Sequence, residues 1–132
     1  MYKCYVASSL LNAEAVNRAY DDLEKAGIAI TYKWTTHGLV KDPQKCKEVC
    51  YNEIRGVTNA DALLFLHPAR SGSHVELGIA LERNIKIFMV FDDPLIEMKS
   101  FYYHDQIKPF YNYHEALQEI INYFGNLRKY IR

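Results

Sequence analysis

The chain has 132 residues, of which 49% are hydrophobic and 24% charged, the composition of a folded chain with one sizeable core. Sixteen Lys and Arg balance sixteen Asp and Glu, which argues against a nucleic-acid polymer or an anionic membrane as partner. The start, MYKCYVASSL, lacks the apolar core of a secretory signal, and no apolar run approaches the ~20 residues of a membrane span, so the expected location is cytoplasmic.

Tyr2 to Ala7 reads as a first strand. Asn12 to Ala26 follows as a helix, with Val16, Ala19, Tyr20, Leu23 and Ala26 at helical spacing and Gly27 at its stop. Ile28 to Tyr32 reads as a second strand, and Lys33 to Asp42 as a loop carrying Trp34 and His37. A second helix runs from Pro43, tolerated in a first turn, to about Thr58. Its inner stripe is Cys46, Val49, Cys50, Ile54 and Val57. With no export signal, the three cysteines read as reduced thiols. Cys46 and Cys50 are expected to be buried and apolar, and no second Cys/His pair stands at ligand spacing, so neither a metal nor a cofactor is implied.

Ala62 to Leu66 reads as a fully buried third strand, His74 to Arg83 as a third helix and Lys86 to Phe91 as a fourth strand. An irregular aromatic stretch follows, rich in the chain's eleven Tyr and six Phe. It reads as core or subunit interface, or else as a base-stacking wall. Ile107 to Phe110 is a fifth strand. Leu117, Ile120, Ile121, Phe124 and Leu127 mark a last helix. Alternation of strand and helix predicts one α/β domain over residues 1–132, a doubly wound, flavodoxin-like, five-stranded parallel sheet. Such sheets bind ligands at the carboxyl ends of their strands.

The turn SGSHVEL, after the third strand, carries Glu76. Ser73 and Glu76 form the S-x-x-E pattern of a capping box, which explains the glutamate without any chemistry. Glu53 sits inside the apolar stripe of the second helix. A carboxylate there either reaches solvent past the helix edge or enters the same cleft as Glu76. Two carboxylates in one cleft divide the work of nucleophile and acid/base. Gly72 is expected where the turn approaches another group closely, and Gly78 where the helix packs on the sheet. Neither the Rossmann nor the P-loop glycine pattern is present.

The block from Ala60-Asp61 through GSHVELGIAL resembles the nucleoside 2-deoxyribosyltransferase family, which includes the 2-deoxynucleoside 5′-monophosphate N-glycosidases. The resemblance implies that Glu76 attacks the anomeric carbon of the sugar. It places a second carboxylate eight residues before Asp61, at Glu53, where the family often has aspartate. Tyr5, in Tyr5-Val6-Ala7-Ser8-Ser9, would orient the carboxylate pair, and Ser9 would contact sugar or phosphate. Two positions depart from the monophosphate-cleaving members: Leu11 stands in place of an arginine, and Arg70 in place of a phosphate-contacting serine. Arg70 suits phosphate, and equally suits a solvated loop. Gly72 and Ser73 complete the substrate-binding candidates. The implied activity is cleavage or transfer of the N-glycosidic bond of a small-molecule nucleoside or nucleotide, in a homo-oligomer of two or more copies that complete one another's pockets. Two alternatives stay open: a non-catalytic nucleotide-binding module on the same fold, and an NAD-type glycohydrolase.

Overall fold

A computed structural model describes residues 1–130; the last two residues of the expected 1–132 span lie outside the described ones. The centre is β3 (Ala62–Leu66), ALLFL, with every residue buried. It pairs in parallel with β1 (Lys3–Ala7) on one side and β4 (Lys86–Val90) on the other. β2 (Ala29–Ile30) flanks β1, and β5 (Ile107–Phe110) flanks β4. The result is a five-stranded parallel sheet of order β2-β1-β3-β4-β5, the expected doubly wound arrangement. Each of Leu63, Leu64 and Phe65 is fully buried, a contribution of about 1.5–3 kcal/mol per side chain.

Both edges are weak. The expected second strand shrinks to two residues, because only β1 is there to pair with it. β5 contains Pro109, which an edge strand tolerates because its missing N–H costs no inner ladder bond.

Helix α1 (Ala13–Lys25) buries Val16, Ala19, Tyr20 and Leu23. It ends before Gly27, whose φ of +80° suits the left-handed stop. It packs with α4 (Tyr113–Tyr130), while α2 (Pro43–Thr58) packs with α3 (Ser71–Glu82). Asp42 caps α2, its carboxylate accepting from Lys45 N–H at 3.0 Å, with Pro43 at the first helical position. Among the described residues no helix is long and apolar enough to cross a membrane.

Two expectations fail here. Cys46 and Cys50 are exposed, and only Cys4 is buried. The reason is that α2 rests on the sheet only near its end, at Gly56 and Val57, while its earlier turns overhang open space. Gly78 is exposed and a methyl group there would meet nothing within 4 Å, so the expected tight packing of the helix on the sheet is not made there; Gly72 is open as well, toward the cleft, and marks no close contact within the chain. The glycine that does is Gly56. A methyl group there would lie 3.0 Å from the Tyr5 ring and from Tyr32 Cβ, so its absence lets α2 lie against β1.

Candidate active site

The sheet order reverses between β1 and β3, and the loops leaving those two strands are tied together. Ser8 Oγ donates to the carbonyl of Leu66 at 2.8 Å, Ser9 N–H donates to that of Pro68 at 3.0 Å, and Asn12 Nδ2 donates to Ser8 Oγ at 3.0 Å. Above this floor opens a cleft of about 720 Å³, walled by α2, α3 and the loop carrying Trp34 and His37. That is the crevice in which doubly wound sheets hold ligands.

Of the residues singled out from the sequence, Ser9, Glu53, Arg70, Gly72, Ser73 and Glu76 all line this cleft. Tyr5 lies behind it, fully buried on β1. Its hydroxyl donates to Glu76 Oε2. Glu53 is half-buried on α2 and faces the same cleft as Glu76.

The helix start corrects the expectation for Glu76. α3 begins at Ser71, not His74, with Arg70 in extended backbone as its cap residue. Glu76 is thus the sixth residue, in the second turn rather than the first. Free backbone N–H groups end with the first turn, so Glu76 has none to cap. Ser73 does accept from the Arg70 N–H, at 3.4 Å. The Arg70 guanidinium, all donors, cannot reciprocate that bond as an acceptor.

What remains is a carboxyl group only 6% exposed, on a residue with no cation paired to it. Among the described residues the two ion pairs, Lys33–Glu24 and Lys108–Glu119, both lie elsewhere. A buried unpaired carboxylate is costly, and the group responds by holding its proton. Burial, then the neighbouring Glu53 carboxyl group, raise the Glu76 pKa far above the ordinary carboxylate range; the Tyr5 hydrogen bond opposes them. Tyr5 is pushed up as well, by burial and then by Glu76, so it acts as a donor throughout. Glu76 therefore holds its proton at neutral pH, with its Oε2 accepting from Tyr5.

The other polar groups sit on the floor. Ser9 Oγ accepts from Leu11 N–H at 3.2 Å and caps the 3-10 turn Leu10–Asn12. Its own hydroxyl hydrogen is not used by that bond. Arg70 is exposed and, among the described residues, makes no ion pair and is the only Lys or Arg lining the cleft. It stands at the start of α3, where anions bind readily.

Trp34 had no assigned role from the sequence. It is buried, lines the cleft, and is fixed by its indole N–H donating to the Val6 carbonyl at 2.7 Å. Its place in a loop at the carboxyl end of the sheet was the available signal. The remaining wall is apolar, from Val40, Val49, Ile54, Val75 and Ile79. Cys46 and Cys50, expected in the core, line it too. Among the described residues no three His, Cys, Asp or Glu side chains cluster as a metal site.

No family model matches the chain, and no curated protein matches it in sequence. Among solved structures, the fold is similar to that of the Clostridium botulinum CMP N-glycosidase BcmB, with a TM-score of 0.63 over 92% of this chain and 98% of that chain. The identity is 15%, so the likeness is one of fold.

Proposed function

We propose that the chain cleaves or transfers the N-glycosidic bond of a nucleoside or nucleoside 5′-monophosphate, as a member of the nucleoside 2-deoxyribosyltransferase family. One observation carries the proposal: a buried, uncapped, unpaired Glu76 facing a cleft, with Tyr5 behind it and Glu53 beside it. A fold needs no such arrangement for stability. The fold shared with a CMP N-glycosidase supports the same reading.

In the proposed reaction, Glu76 Oε1 attacks C1′ as the bond to the base breaks. The proton held by the carboxylate pair moves through Glu53 to the departing nitrogen. Tyr5 keeps its hydrogen bond to Oε2 and fixes the direction of attack. The resulting sugar ester is released by water, or by a second base in a transfer, with Glu53 accepting the proton. Trp34 and the apolar wall exclude water from the ester until the acceptor arrives. Ser9, Ser73, the Gly72 backbone and Arg70 hold the sugar and its 5′-phosphate.

The test is incubation with a mixture of nucleosides, 5′-nucleotides and NAD, followed by mass analysis of the released bases. Release of a base from a nucleoside or nucleotide supports the proposal. Release of nicotinamide alone favours an NAD glycohydrolase, and bound but unreacted nucleotide favours a binding module.

A further inference from the structure

Beside the cleft, three rings meet in one cluster: His67 after β3, His74 in α3, and Tyr102 in the 3-10 turn Ser100–Tyr103. His67 Nδ1 lies 2.7 Å from the Val90 carbonyl oxygen, and His74 Nδ1 lies 2.7 Å from that of Arg70. A carbonyl oxygen only accepts, so both Nδ1 atoms carry hydrogens. In neutral rings both Nε2 atoms are then acceptors. Both face the same hydroxyl. Tyr102 Oη is 2.7 Å from His74 Nε2 and 3.3 Å from His67 Nε2. That hydroxyl has one hydrogen for two acceptors, so the neutral cluster is one proton short.

A proton on either ring completes it. The charged ring donates to the Tyr102 oxygen, and the Tyr102 O–H turns to the other ring. His67 is buried against Phe65 and Phe91, and burial lowers its affinity for the proton. His74 is half-buried. His74 is thus the ring more open to solvent, and in the completed arrangement it faces the Tyr102 oxygen while Tyr102 donates to His67.

We infer that His67, Tyr102 and His74 form a proton-linked strut that positions the first turn of α3 for an anionic ligand. His74 grips the Arg70 carbonyl at one end and Tyr102 at the other, and a charge on its ring strengthens both bonds. Tyr102 is a positioning residue, acting through His74 and Arg70 rather than on reacting atoms. The charged groups around the strut are Asp92 after β4, Glu97 and Lys99 on the following segment, and Arg70. The acids favour the proton and the cations oppose it. An anion at the turn offsets the cations, so anion and proton bind together. The choice of ligand rests on the proposed reading of the cleft; the proton count rests on the hydrogen bonds alone.

The test begins with ring-nitrogen NMR of the whole chain from about pH 5 to 8, the range in which histidine titrates. In the wild type His74 gains the proton while His67 stays neutral. In Tyr102→Phe the two rings titrate independently. The second arm measures ribose 5-phosphate and ribose binding across the same range. Phosphate ionisation is common to both proteins, so their difference isolates the strut. Affinity of the wild type for ribose 5-phosphate, relative to Tyr102→Phe, should fall by up to about tenfold per pH unit, the limit for one linked proton. Ribose should show no such trend. His74→Gln places an uncharged amide donor opposite Tyr102 and should bind with no strut-dependent slope. Independent ring titration in the wild type, or equal pH dependence in all three proteins, overturns the strut. Failure of ribose 5-phosphate to bind at any pH overturns its link to an anion. Absence of base release from every nucleotide overturns the N-glycosidase reading and leaves the ring titrations standing.

Discussion

Replacing Glu76 by glutamine should stabilise the protein near neutral pH while ending turnover. The pKa of Glu76 rises from the ordinary 4.5 to about 9 in the folded protein. Between those values the unfolded chain has released the proton and the folded protein keeps it. Each rise in pH therefore draws the equilibrium toward the unfolded state, by about 1.4 kcal/mol per unit. At pH 7, above the ordinary 4.5, the wild type has lost about 3 kcal/mol in this way. Glutamine cannot titrate. Its amide oxygen still accepts from Tyr5, and its NH2 can donate to Glu53, so the packing and the hydrogen bonds survive. Urea unfolding of both proteins at intervals from about pH 5 to 8 measures the difference directly. The advantage of Glu76→Gln should be small at the acid end and grow by about 1.4 kcal/mol per unit. A difference that stays flat with pH would refute the assignment of the proton to Glu76. Gain of stability together with loss of activity is the pattern expected where function maintains a strained group.

Glu53→Gln keeps Glu76 and removes the neighbouring carboxyl group that raises its pKa, so Glu76 loses its proton to water more readily and remains as the nucleophile. Turnover of natural bases should fall about 100-fold or more, the usual share of acid–base catalysis, while a nitrophenyl sugar, which needs no proton, should still react; equal losses on both would contradict the division of roles. Arg70→Ala should weaken binding of a 5′-monophosphate about tenfold, the scale of one charge-assisted hydrogen bond, and leave the unphosphorylated nucleoside nearly unaffected in calorimetry. Gly56→Ala adds a methyl 3.0 Å from the buried Tyr5 ring. Overpacking costs about 1–3 kcal/mol and outweighs the ~1 kcal/mol that alanine contributes to a helix, so thermal unfolding should shift down and activity should fall as Tyr5 is displaced. The chain should sediment as a dimer or larger, because Leu11, Leu39 and Val75 at the cleft are 79%, 73% and 64% exposed; a monomeric mass at micromolar concentration would contradict this.

Much of the fold is legible in the sequence because its strands are strongly patterned. ALLFL is apolar throughout and becomes the centre of the sheet. Val16, Ala19, Tyr20 and Leu23 sit at helical spacing and become the buried face of α1. The apolar stripe around Glu53, the turn before Glu76 and the family resemblance pointed to two carboxylates that both line the cleft, but gave no sign of Trp34 on its wall. The rest depends on tertiary context. Nothing local distinguishes a helix face that meets the sheet from one that overhangs a cleft, so Cys46 and Cys50 were misplaced. Ser71, Gly72 and Ser73 have the composition of a turn, yet all three enter the first turn of α3. Gly56 looks like a weak point in a helix until Tyr5 is found beneath it. The meeting of His67, His74 and Tyr102 spans 35 positions of chain and left no mark in spacing.

The two edges of the sheet restrict how copies of the chain can associate. β2 offers two residues of ladder, and Pro109 removes an N–H from β5. Neither border can template an added strand of useful length, which also guards against fibrous stacking. Association through a continuous sheet is therefore closed to this chain. A second copy would meet the chain through helix faces and loop tips, where exposed apolar residues lie around the mouth of the cleft and on the segment after β4. Blunt sheet borders thus leave the rim of the cleft as one of the places where a second copy would find apolar surface.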